Sequence, residues 1–164
     1  MKSHLPVYGV GPLYVWTIML MSVAAIALDY FGVIPHVELD PGNVVRWVAF
    51  GVLCALGLYI WVSAVVLSHI EKEIVSNHLC TSGIYKYVRN PIYTALMFIA
   101  WALLLVPNNA LLIALAPLYW LFMAVLMKCT EEKWLADLYG DEYRAYCKCT
   151  NRTIPWFPKK GDRS

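Results

Sequence analysis

The chain has 164 residues, of which 60% are hydrophobic and only 15% charged, against about 45–50% and about 25% in soluble globular proteins. So little polar surface cannot cover four long apolar helices in water, which excludes a soluble helical core and makes a lipid bilayer the expected solvent. The net charge of +2 is unremarkable, and no nucleic-acid partner is expected.

The first apolar run, Leu13–Ala27, is long enough to span a bilayer if extended to Phe31. Its flank has only Lys2 as a basic residue, Pro6 and Pro12 precede it, and no small-residue cleavage pattern appears before Asp29-Tyr30-Phe31, so it is not read as a cleavable signal. The second run, Val44–Leu67, suffices alone. The third, Ile92–Val106, is short, but Pro107-Asn108-Asn109 turns the chain straight into a fourth run at Ala110–Met127, which makes a tilted or partly re-entrant span the expectation. Pro117 removes one backbone bond within the fourth run and is read as a scaffold kink. Beyond it, Glu131–Tyr139 reads as a helix stopped by Gly140, with Asp141 capping a short helix through Tyr146. Trp134, Leu135, Leu138 and Tyr139 share one face, the pattern of an amphipathic helix on the membrane surface, with Glu131 on the same flank.

The expected fold is therefore all-α: a polytopic membrane protein with four transmembrane helices, the last two a helical hairpin, and a C-terminal cytoplasmic amphipathic helix. Residues 1–164 read as one domain, with scaffold spans in 1–67 and the chemistry in 68–164. With four spans, Met1–Pro12, Ser68–Asn90 and Lys128–Ser164 lie on one side and hold every Lys and Arg except Arg46. The positive-inside rule makes that side cytoplasmic, with both termini inside. Four of the five cysteines (Cys80, Cys129, Cys147, Cys149) fall there, where thiols stay reduced. Their spacing matches no zinc pattern, so neither a disulfide framework nor a metal is expected.

Polar residues accumulate in Ser68–Tyr93 and Lys128–Pro158, which the hairpin brings to one membrane face. The segment from Thr81 to Tyr93 contains Gly83-Ile84-Tyr85 and Arg89-Asn90-Pro91-Ile92-Tyr93. After the hairpin come Glu131-Glu132, Gly140-Asp141-Glu142-Tyr143, Tyr146 and Ile154-Pro155. In this order and spacing the motifs resemble the signature of the isoprenylcysteine carboxyl methyltransferase and phospholipid methyltransferase superfamily, over roughly residues 76–158. The resemblance implies methyl transfer from S-adenosyl-L-methionine to a lipophilic small molecule or lipid at the bilayer. It maps cofactor contacts onto His78, Leu79, Cys80, Tyr85, Asn90, Pro91, Ile92, Tyr93 and Glu131, and a catalytic set onto Arg89, Tyr93 and Glu131.

The chemistry of these residue types agrees. Glu131 offers an anion for the cofactor's ammonium. Arg89, at the membrane edge, can snorkel or meet a carboxylate. Tyr85, Tyr87 and Tyr93 offer hydroxyls and π faces to a cationic sulfur. Asn90, held extended before Pro91, is expected to have its amide free for ligand. Each has a plainer explanation: a topology-setting charge for Arg89, an interfacial belt for the tyrosines, a solvated helix start for Glu131-Glu132. Neither His69 nor His78 is a convincing base.

Two positions depart from the family pattern. A frequent glycine falls on Ala95, expected to tighten the cavity, and the arginine that prenylcysteine methyltransferases place four residues before the first glutamate falls on Met127. A carboxylate acceptor is therefore expected to be a poor substrate, since a desolvated carboxylate needs a cation. Two other readings stay open. Tyr139-Gly140-Asp141-Glu142-Tyr143-Arg144-Ala145-Tyr146-Cys147 echoes the tail of sterol-type reductases, which use NADPH. A membrane scaffold without activity is the other.

Overall fold

The computed structural model describes residues 9–40, 42–68 and 78–157. Among these the chain is all-helical, with β-pairing confined to isolated bridges at Glu38/Asn109 and Val88/Asn151. His69, the rest of the polar insert through residue 77, and the tail beyond residue 157 lie outside the described residues.

Helix α1 spans Gly11–Tyr30, opened by Pro12 in its first turn, where a missing N–H costs nothing. It stops at Gly32, whose φ of +67° is the left-handed conformation that favours glycine. Helix α2 spans Val44–Val62 and runs on through a π-helical turn at Ser63–Leu67, closed by Ser68 N–H to the Ser63 carbonyl at 3.2 Å. Helix α3 is Pro91–Leu105. Asn109 caps the next segment through its side-chain oxygen, which accepts from Leu111 N–H at 3.0 Å, and a 3₁₀ stretch at Ala110–Ala114 leads into α4, Leu115–Cys129. Pro117 falls in the first turn of α4, directly after the 3₁₀ stretch. Thr130, at φ −124° and ψ −87°, bends the chain into α5, Glu131–Tyr139. Gly140, at φ +56°, separates α5 from α6, Asp141–Cys149. Asp141 is the first residue of α6 rather than a side-chain cap, and α6 runs three residues past Tyr146.

Among the described residues three helices are long and apolar enough to cross a membrane: Gly11–Tyr30, Val44–Leu67 and the continuous stretch Ala110–Tyr139. With 15 residues, α3 is about 22 Å long at 1.5 Å per residue, short of a hydrocarbon core of about 30 Å. Its apolar side chains are instead buried in protein. Tyr14 and Ile18 of α1, Met97, Ala100 and Leu104 of α3, and Tyr119, Met123 and Met127 of α4 form the main core. Ser22 and Tyr119 hydrogen-bond across α1 and α4 at 3.0 Å.

The largest helix interface joins α2 to α3. It depends on Gly57, where a Cβ would lie 3.0 Å from both the Ala95 carbonyl oxygen and Ile99 Cγ1. Ala95 is fully buried and does not line the cavity described below, contrary to the expectation that it tightens that cavity. Gly57→Val is expected to force the two helices apart at a cost of about 1–3 kcal/mol, read as a lower thermal midpoint of the purified protein; an unchanged midpoint would mean the interface is looser than described.

At the opposite end of the bundle lies Arg46, the one basic residue that breaks the charge asymmetry. It is buried, and its Nη1 donates to the carbonyls of Leu105 at 3.1 Å and Val106 at 2.7 Å, while Nη2 reaches Asn43 and the guanidinium stacks on Trp47. A cation on the carbonyl end of α3 satisfies groups that the helix leaves open. Arg46→Met should lower stability by about 2–3 kcal/mol by orphaning those carbonyls; chemical unfolding with no shift in midpoint would contradict this role.

Candidate active site

The polar tail folds back onto the start of α3. Arg89 N–H donates to the Asn151 carbonyl at 2.8 Å, the Asn90 amide to the Arg152 carbonyl at 3.0 Å, and Thr94 Oγ1 to the Thr153 carbonyl. Tyr146 Oη donates to the Tyr85 carbonyl at 2.6 Å, drawing α6 onto the 3₁₀ turn Gly83–Lys86. These bonds fold Gly83–Tyr93, α5 and α6 around one cavity of about 580 Å³, a size typical of small-molecule sites.

His78, Leu79, Cys80, Tyr85, Arg89, Asn90, Pro91, Ile92, Tyr93 and Glu131, separated by up to 53 positions in sequence, all line this cavity. Tyr87 does not; it is exposed, as an interfacial residue would be. The Asn90 amide is not free, being taken by the Arg152 carbonyl, so Asn90 ties loop to tail while lining the wall. Met127 is fully buried among Tyr14, Tyr119 and Met123, away from the lining. The wall also has members that the sequence did not single out as site residues. The first span, expected to be scaffold, contributes Pro12, Val15 and Trp16, and Gly9 and Gly11 precede them. Trp134, Leu135 and Tyr139, noticed in the sequence only as an apolar face, turn that face into the cavity along with Tyr143 and Tyr146 of α6.

Neither acidic residue at the start of α5 is a solvated helix start. One oxygen of Glu131, Oε1, accepts both the Tyr93 hydroxyl and Val10 N–H, the latter at 2.9 Å. Glu132 lies on the other side of the helix start, where Arg152 grips it with two bonds of 2.7 and 3.0 Å and Arg89 Nη2 lies 3.5 Å away. Arg89 Nη1 contacts the Cys147 thiol. Its Nε is buried and has no hydrogen-bond partner among the described residues. Arg144 sits exposed on Asp141, and Arg152 is committed to Glu132. Among the described lining residues Arg89 is the only Lys or Arg.

The wall is otherwise apolar and aromatic, and burial pushes the hydroxyls of Tyr85, Tyr143 and Tyr146 well above the usual phenol range. They stay protonated near neutral pH. They are therefore donors and ring surfaces, not bases. A part-buried carboxylate, a guanidinium and aromatic walls line one cavity, and such groups can meet a zwitterionic ligand with flat and apolar parts.

Residues 45–142 match the phospholipid methyltransferase family model, and the chain belongs to that family. Among curated proteins it is 32% identical over 110 residues to methanethiol S-methyltransferase 1 of Bradyrhizobium diazoefficiens, a match covering 59% of this chain and 38% of that one. It is 37% identical over 120 residues to the protein-S-isoprenylcysteine O-methyltransferase of Schizosaccharomyces pombe, covering 67% of this chain and 49% of the relative. The chain thus aligns with less than half the length of either relative. No solved structure matches it.

Proposed function

We propose that this protein transfers a methyl group from S-adenosyl-L-methionine to a lipophilic acceptor at the membrane, in the cavity between α1, the start of α3, α5 and α6. The observation that carries this reading is the pairing of Glu131 and Arg89 within one aromatic cavity. Membership of a methyltransferase family favours it over the NADPH-dependent reductase and the inert scaffold.

The residues present fit that cofactor. Glu131, with Oε1 already tied, would take the ammonium, and Arg89 the carboxylate. His78, Leu79 and Cys80 would line the nucleoside end, with Tyr85, Asn90, Pro91 and Ile92 walling the sulfur. When bound, S-adenosylmethionine supplies an electrophilic methyl group on a sulfonium. Tyr93, bonded to Glu131, would keep that carboxylate on the ammonium, and Trp16, Trp134 and Leu135 would help exclude water, which for an in-line displacement supplies much of the rate.

With Arg89 occupied, no second Lys or Arg among the described lining residues remains to meet an acceptor carboxylate. The favoured acceptor is therefore a lipophilic amine or thiol rather than a prenylated-cysteine carboxylate. Radiolabelled methyl transfer in purified membranes, with a farnesylcysteine analogue beside phospholipid and thiol acceptors, tests this. Turnover of the farnesylcysteine analogue as fast as the best other acceptor would refute the preference.

The topology that serves this reading is one domain with four crossings, α3 crossing with the help of local bilayer thinning, and both termini cytoplasmic, with α5 and α6 against the inner surface. Cysteine introduced at Glu38 should then be labelled from outside the cell and one at Lys148 spared; the reverse would invert the orientation and put the site out of reach of cytosolic cofactor.

A further inference from the structure

We propose that the backbone of Gly9-Val10-Gly11, at the entry to the first span, is part of the cofactor site: a positioning segment that clamps Glu131 so that its second carboxylate oxygen faces the cavity. The inference rests on the reading of Glu131 as the ammonium partner and extends it to residues 121 positions away in sequence.

Three observations point the same way. Val10 N–H donates to Glu131 Oε1 at 2.9 Å, a charge-assisted bond in a water-poor setting. Gly9 adopts φ +49°, and a Cβ there would lie 1.9 Å from Glu131 Oε1 and 2.9 Å from Cδ, so the approach to the carboxylate is open only to glycine. Gly11 continues the contact, with a Cβ placed 3.3 Å from the Tyr93 hydroxyl that also binds Oε1. Both described bonds fall on the same oxygen, which leaves Oε2 to meet a cation. A carboxylate on a flexible two-carbon stem otherwise samples several rotamers, and fixing it beforehand removes that loss from the cost of binding.

Gly32 provides the control. It has a similar positive φ of +67°, but a Cβ there meets nothing within 4 Å. Gly32→Ala therefore introduces backbone strain alone, and Gly9→Ala introduces strain plus a collision with Glu131. The experiment compares the two in the full-length chain, in the native background and with Glu131→Ala, by thermal midpoint and by titration with S-adenosylmethionine. In the native background Gly9→Ala should weaken S-adenosylmethionine binding by about tenfold or more and lower the midpoint further than Gly32→Ala, which should change affinity less than about twofold. With Glu131→Ala the excess loss of midpoint at Gly9 should vanish, and a Gly9→Ala protein that fails to fold alone should fold there. Equal midpoint losses at Gly9 in both backgrounds, failure to fold in both, or affinities that do not separate Gly9→Ala from Gly32→Ala would overturn the clamp. If the native protein binds no S-adenosylmethionine, the cofactor reading falls, and the midpoint comparison still decides whether Gly9-Val10 holds Glu131.

Discussion

Glu131→Gln should weaken S-adenosylmethionine binding by at least about thirtyfold, because it removes the charge opposite a buried ammonium, a loss of roughly 2–5 kcal/mol. The substitution preserves shape, and an amide oxygen can still accept from Tyr93 and Val10, so the bundle itself should survive. Isothermal titration of variant and native protein measures the difference. Binding within about threefold of native would remove Glu131 from the site and with it the basis of the proposed clamp.

Glu132→Gln should do the opposite, costing the fold more than the ligand. Glu132 is nearly buried and holds both Arg152, through two bonds, and Arg89. Breaking such a pair leaves uncompensated guanidinium groups, at a cost of about 3 kcal/mol once the partial exposure of Arg152 is discounted. The tail that Arg152 anchors to α5 also supplies the carbonyls held by Asn90 and Thr94, so its release should loosen the cavity floor. Thermal unfolding should therefore show a clearly lower midpoint for Glu132→Gln than for Glu131→Gln; the reverse order would mean that the charge cluster does not support the tail.

This division of labour between neighbouring glutamates shows where sequence and structure part. Helical phase places Glu131 on the flank of Trp134 and Leu135, and that much is legible. It says nothing of Glu132, because its partners Arg89 and Arg152 come from two other segments, and only the folded tail brings them together. The apolar runs were legible for a similar reason: Val44–Leu67 is continuous, and hydrophobicity alone delimits it. The third run has 15 residues, too few to span a bilayer unaided and enough to fill a core. The ten residues implied by the family resemblance line one cavity because a local turn and the start of a helix carry most of them. The wall from α1 was not legible, because Gly9-Val10-Gly11-Pro12 reads as an ordinary flank to a span, and its meaning lies in a contact with Glu131 far along the chain. Neither Met127 nor Ala95 lines the cavity, and sequence spacing alone does not give the rotational phase that shows this.

The central claim is that the cavity between α1 and α6 takes S-adenosylmethionine, and thermal unfolding with competing nucleotides tests it most directly. S-adenosylmethionine or its demethylated product, at about 100 times its dissociation constant, should stabilise the native protein by about 2.7 kcal/mol, and NADPH should not. Glu131→Gln should cut that stabilisation to about 0.9 kcal/mol or less at the same concentration. Stabilisation by NADPH and none by S-adenosylmethionine would contradict the account and return the cavity to reductase chemistry.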